Sequence, residues 1–73
     1  MIVVVDATVY KDAGTYTSRR CPLQVALQRM FPQRNVSVGG TYCRIGETEY
    51  QIKDPTYVTK MVDARLPFTA ELI

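Results

Sequence analysis

The stretch from Asn35 to Ile52 constrains the fold most, because its side chains alternate across two glycine-bearing turns. Val36 and Val38 alternate with Asn35 and Ser37, and Gly39-Gly40 then offers both positive φ values of a two-residue hairpin turn. Thr41 to Ile45 reads as the returning strand. Gly46-Glu47 reads as a second two-residue turn, of the Gly-first kind, leading to a third strand from Thr48 to Ile52. Counting through both turns sets Val38 opposite Thr41 and Val36 opposite Cys43. It then sets Ile45 opposite Thr48, Arg44 opposite Glu49, Cys43 opposite Tyr50 and Tyr42 opposite Gln51. One face collects Val36, Val38, Cys43, Ile45, Tyr50 and Ile52; the other collects Asn35, Ser37, Tyr42, Arg44, Glu49 and Gln51. A strand slipped by one residue would mix the two sets, so the alternation and the turns check each other. The prediction is a three-stranded antiparallel meander with one apolar face, and that face needs a cover.

Cys21 to Phe31 supplies one. Stepping 100° per residue from Leu23 places Ala26, Leu27, Met30 and Phe31 in one arc, with Gln24, Gln28 and Arg29 outside it. Pro22 suits the first helical position, where a missing N–H costs nothing; Cys21 then falls at the cap, and Pro32 ends the helix. Asp54-Pro55 opens a second helix in the same style. Tyr57, Val58, Met61, Val62 and Ala64 spread over a broad face opposite Thr59, Lys60 and Asp63, and Pro67 ends it. The closing segment from Phe68 to Ile73 alternates, with Phe68, Ala70 and Leu72 inward. At the other end, Ile2 to Val5 is a β-branched run that suits a strand. Asp6 to Gly14 fits either a short helical turn, capped by Asp6 and stopped at Gly14, or a continuation of the strand through Tyr10. Thr15 to Arg20 is polar and reads as a loop. The expected architecture is an α+β two-layer sandwich: strand, helix, three-stranded antiparallel meander, helix, strand. Both helices cover the meander, and the terminal strands extend the sheet.

Seventy-three residues make one small domain, of a size that buries only about 60% of its unfolded surface. With 47% hydrophobic and 22% charged residues, the chain has the makings of a core, which argues against disorder. No apolar run approaches the roughly 20 residues of a membrane span, and Met1 to Val5 lacks the basic flank and cleavage site of a secretory signal. Two cysteines, Cys21 and Cys43, are too few for a disulfide framework, and without histidine or C-x-x-C spacing a zinc site is not indicated. These features point to a soluble protein of a reducing cytoplasm, with no membrane association, metal or cofactor.

The residues that carry chemistry are few. Cys21, at a helix start beside Arg19 and Arg20, has its thiolate favoured by the dipole and the nearby charge, which makes it a candidate redox-sensing thiol. A small capping residue packed beneath the preceding loop is the plainer reading. A cysteine nucleophile needs a base, and the chain has no histidine. Residues 1–36 carry Lys11, Arg19, Arg20, Arg29 and Arg34 against Asp6 and Asp12, a balance of +3, while the remainder carries four basic and five acidic residues, a balance of −1. Arg19, Arg20, Arg29 and Arg34 are therefore candidate anion, nucleotide or nucleic-acid contacts, provided that they converge on one surface; otherwise they are a solvated rim. Tyr42, Arg44 and Gln51 on the meander's outer face are candidate protein-binding residues, since Tyr and Arg are enriched where partners dock. The alternative is a solvated sheet face. Cys43, Tyr50 and Tyr57 read as core. The acidic residues sit at caps, turns and strand faces, so no catalytic carboxylate pair is indicated and no enzyme activity is expected.

The Cys21-Pro22-Leu23-Gln24-Val25-Ala26-Leu27 helix, the V-S-V-G-G-T-Y strand pair and the closing P-F-T-A-E-L together resemble a group of small bacteriophage and prophage proteins. Those proteins show a C-P-x-A-L-A-L-type helix, a short V-x-V strand and a P-F-x-F-x-L end. Here Gln24 replaces a small residue and Ala70 an aromatic one. The resemblance implies a viral accessory protein in a bacterial cytoplasm and carries no mechanism. Together with the missing catalytic groups, it favours non-catalytic binding to a host or viral protein, with inhibition as one form that binding takes. The alternatives are a nucleic-acid or nucleotide binder using the arginines, and a virion or assembly component. Exposed strand edges also allow a homodimer.

Overall fold

The computed structural model describes residues 1–13 and 21–73. Along the described residues run β1 (Ile2–Val5), α1 (Ala7–Ala13), α2 (Pro22–Met30), β2 (Val36–Val38), β3 (Tyr42–Ile45), β4 (Thr48–Gln51), α3 (Pro55–Ala64) and β5 (Phe68–Glu71). The fold is mixed α+β. The meander forms as an antiparallel sheet in the order β2-β3-β4, while β1 and β5 form a separate antiparallel pair. The terminal strands thus pair with each other first. They join the meander just past β4, where Ile52 bridges Leu72 and the Gln51 and Ile73 backbones exchange both hydrogen bonds at 3.0 and 2.9 Å. Among the described residues no helix is long and apolar enough to cross a membrane.

The β3–β4 register is the one counted from the sequence: Ile45 faces Thr48, Arg44 faces Glu49, Cys43 faces Tyr50 and Tyr42 faces Gln51. Gly46 takes φ +61, the left-handed value that a Gly-first turn requires. The β2–β3 register differs. Val36 faces Ile45 and Val38 faces Cys43, because the reversal is one residue later: Gly39 N–H donates to Tyr42 O at 2.8 Å, leaving Gly40 and Thr41 at the tip. Neither Gly39 nor Gly40 has a positive φ. Moving a turn by one residue moves the register by two, and an even shift keeps every side chain on its face. Val36, Cys43, Ile45 and Ile52 are accordingly buried, with Val38 and Tyr50 half-buried against the core.

Asp6 decides the segment that the sequence left open. Its Oδ1 accepts from Thr8 N (3.0 Å), Thr8 Oγ1 (2.6 Å) and Val9 N (3.1 Å), which satisfies amide donors at a helix start that would otherwise lack partners. Helical spacing lets Val9, Tyr10 and Ala13 bury together; a strand would have sent Val9 and Tyr10 to opposite faces. The proposed stop at Gly14 and the Thr15–Arg20 loop lie outside the described residues. Pro22 is the first residue of α2 and Cys21 its cap, although the thiol makes no capping bond. Leu23 and Leu27 are 1% and 0% exposed, each contributing about 1.5–3 kcal/mol of burial.

The apolar arcs of both helices are narrower than expected. Met30, in the last turn of α2, is 45% exposed and Phe31 is half-buried. On α3, Val58 and Val62 are buried and Met61 half-buried, but Ala64 is exposed and Tyr57 is 42% exposed. Tyr57 therefore meets the core only at its margin, its ring lying edge-on to Phe68 with centroids 6.3 Å apart. The helices also do not both lie across the meander. α2 packs against β1 and β2, and the principal strand neighbour of α3 is β5. Phe68, Ala70 and Leu72 point inward as the alternation requires.

Candidate functional site

The outer face of the meander is set by the pleat. Tyr42 and Arg44 alternate outward along β3, and antiparallel pairing places Gln51 opposite Tyr42 and Glu49 opposite Arg44. Tyr42, Arg44 and Gln51 are all exposed, so the three expected protein-binding residues share one solvent-facing patch. Arg44 Nη2 lies 3.5 Å from Glu49 Oε1, and Gln51 Nε2 lies 3.5 Å from Glu49 Oε2. Exposed pairs of this kind are worth about 0–1 kcal/mol, so they orient the side chains more than they hold the sheet. The Tyr42 ring has a seat of its own: a Cβ added at Gly39 would stand 2.6 Å from Tyr42 Cε1. Glycine there lets the ring lie down on the backbone.

Of the four candidate arginines, Arg29 and Arg34 are described, and each meets a different part of the fold. Arg29 turns onto α1, donating to Thr8 Oγ1 at 3.1 Å and Thr8 O at 3.3 Å and pairing with the Asp12 carboxylate. Arg34 is exposed beside the β3–β4 turn, its Nη1 3.7 Å from where a Cβ at Gly46 would sit. Arg19 and Arg20 lie outside the described residues. Arg29 thus braces two helices, which is structural work. The same cluster includes Asp6, whose carboxyl is held below its ordinary value of 3.8, first by the Thr8 hydroxyl and next by the Val9 N–H.

Cys21 is half-buried and Cys43 fully buried, and both are free thiols. Burial pushes the Cys43 thiol up, as suits a core residue. Cys21 stands in the wall of a cavity of about 230 Å³, with Leu23, Val38, Ile52, Val58 and Val62 around it. That cavity adjoins a shallow groove of about 730 Å³ between the β2–β3 tip and α3, where Gly40 and Thr41 face Thr56, Thr59, Lys60 and Asp63. The two spaces share Gly40 and Thr59. Among the described residues no cluster of three metal-ligating side chains occurs and no buried side-chain nitrogen or oxygen lacks a partner. Sequence reading missed the groove, since it arises from the approach of two segments distant in the chain and none of its residue types announces it.

A second long-range feature was also missed. The Tyr10 hydroxyl donates to Leu66 O at 2.6 Å and lies 3.3 Å from Met61 O. Arg65 lies over the same ring at 5.2 Å and donates from Nη2 to Tyr10 O at 3.2 Å. Tyr10 therefore ties α1 to the C-terminal end of α3. No family model, curated protein or solved structure matches this chain.

Proposed function

We propose that this chain is a phage-type accessory protein that works in a bacterial cytoplasm by binding a host or viral protein, without catalysis, through the outer face of β2-β3-β4. The observation that carries this reading is the seat of Tyr42: an exposed aromatic ring lying on Gly39, with Arg44 and Gln51 beside it on a paired sheet. Tyr and Arg concentrate binding energy at protein interfaces, and a ring already held against backbone loses less freedom on docking than a free one. The viral and cytoplasmic setting rests on the likeness of the Cys21–Leu27 helix and the closing strand to the phage group. The arginine-based alternative receives less support, because Arg29 is engaged by α1.

The test is capture of a partner from bacterial and phage-infected lysate after nuclease treatment, followed by affinity measurement with the purified partner. Tyr42→Ala should weaken binding roughly 30-fold or more, the loss of a residue worth about 2 kcal/mol. Gly39→Ala should weaken it as well, by lifting the ring, while leaving the melting temperature close to that of the parent chain. Affinity of both variants equal to that of the parent chain, or capture that vanishes with nuclease, would overturn the reading.

A further inference from the structure

We infer that the cavity beneath α3 is a binding site for a compact hydrophobic group, a single aromatic ring or a branched hydrocarbon of similar size, carried by a small neutral molecule. This site is independent of the protein-binding face, since its walls come from the inner side of the meander and from two helices. Leu23 of α2, Val38 of β2, Ile52, and Val58 and Val62 of α3 supply aliphatic surface; among the described residues the Cys21 thiol and Thr59 hydroxyl are the polar side-chain groups in its walls. Among the described residues no charged side chain lines the cavity, which favours a neutral ligand. Protein interiors are packed nearly as densely as organic crystals, so about 230 Å³ of aliphatic-lined space in a 73-residue chain forfeits contacts that a ligand would restore. Water is a poor partner for the buried aliphatic walls, because it needs two to four polar partners.

The walls also show how a ligand enters. Leu23, Ile52, Val58 and Val62 are 1%, 6%, 7% and 5% exposed, so the inner walls of the cavity are buried, while Gly40 and Thr59 at its mouth are exposed. α3 is the wall that can yield. Its two buried residues, Val58 and Val62, are themselves cavity walls. Its C-terminal end is pinned by the Tyr10 hydroxyl on Met61 O and Leu66 O, whereas Pro55 and Thr56 at its N-terminal end border the open groove. The helix joins the chain at both ends through non-glycine residues at left-handed φ, Asp54 at 54° and Arg65 at 55°, a conformation that concentrates backbone strain where an element changes direction. Displacement of the N-terminal half of α3 widens the mouth that the cavity shares with the groove at Gly40 and Thr59.

Methyl-resolved NMR of the whole chain, titrated with xenon and separately with benzene, tests the site. Saturable shifts confined to the methyls of Leu23, Val38, Ile52, Val58 and Val62 are expected, with Val3 and Val5 of β1 unmoved. Val38→Phe should fill the cavity and abolish those shifts. A second readout needs no variant: alkylation of the Cys21 thiol in the parent chain should slow in proportion to benzene occupancy. Shifts that fail to saturate or spread evenly over the core, or an alkylation rate indifferent to benzene, would overturn the inference.

Discussion

Tyr10 shows how one side chain can hold two elements that the sequence keeps far apart. Its hydroxyl caps carbonyls at the end of α3, and its ring carries the Arg65 guanidinium. Tyr10→Phe keeps the ring and removes the donor, leaving Leu66 O without that partner; a loss of about 1–2 kcal/mol is expected in urea denaturation. Burial raises the Tyr10 hydroxyl above its ordinary value of 10.0, against an opposing pull from Arg65. A group whose value is raised by folding contributes stability below its unfolded value and loses it as pH rises through the folded one. The parent chain should therefore lose stability above about pH 10 more steeply than Tyr10→Phe. Arg65 adds a second test. At φ 55 a Cβ costs about 1–2 kcal/mol that glycine avoids, so Arg65→Gly should be less destabilising than Arg65→Ala, although both lose the contact with Tyr10. The reverse order would mean that the left-handed backbone is not what limits this position.

Among the elements, α1 depends on a cap that titrates. Asp6 serves α1 best as a carboxylate, whose Oδ1 accepts three bonds, and its value is lowered in the fold. A group lowered in this way contributes stability above its unfolded value, near 3.8, and loses it as pH falls through the lower folded value. The Val9 and Tyr10 amide shifts should therefore move together below about pH 4 in the parent chain, while Asp6→Asn, which keeps an acceptor oxygen without titrating, should show no such step. A pH-independent parent would show that Arg29 and the buried face hold α1 without the cap. The contrast between α1 and the meander also shows what a sequence can carry. The β3–β4 register was legible because Gly46, the alternation and the Arg44–Glu49 pair agree. The β2–β3 turn was misplaced because Gly39-Gly40 has a stronger local reason, the positive φ of a turn, than the distant one that applies, room for the Tyr42 ring. Asp6 to Gly14 was ambiguous because nine residues with a cap at one end and glycine at the other suit either element until packing selects. Of the candidate site, the row of Tyr42, Arg44 and Gln51 follows from strand parity. The cavity and the Tyr10–Arg65 contact join residues more than fifteen apart in the chain, and no local pattern encodes them.

At the scale of the molecule, α2 joins the two sheets, because it touches both of their outer strands. Hydrogen bonds connect β2 to β3, β3 to β4, the end of β4 to the end of β5, and β5 to β1; α2 then packs on β1 and β2, which closes the circuit through side chains. Leu27, fully buried on that helix, sits at the closure. A chain of 73 residues is expected to hold only about 4–11 kcal/mol of total stability, and Leu27→Ala should remove about 2–5 kcal/mol of it. If the circuit is the structural unit, the variant unfolds at lower urea in a single transition, and the Val3 and Ala70 amides of the β1–β5 pair lose exchange protection together with Cys43 and Tyr50 of the meander. If the bridge at Ile52 and Leu72 is the weaker joint, Val3 and Ala70 open first while the meander stays protected. That outcome would make the β1–β5 pair an appendage of the meander and move the centre of the fold from α2 to the three-stranded sheet.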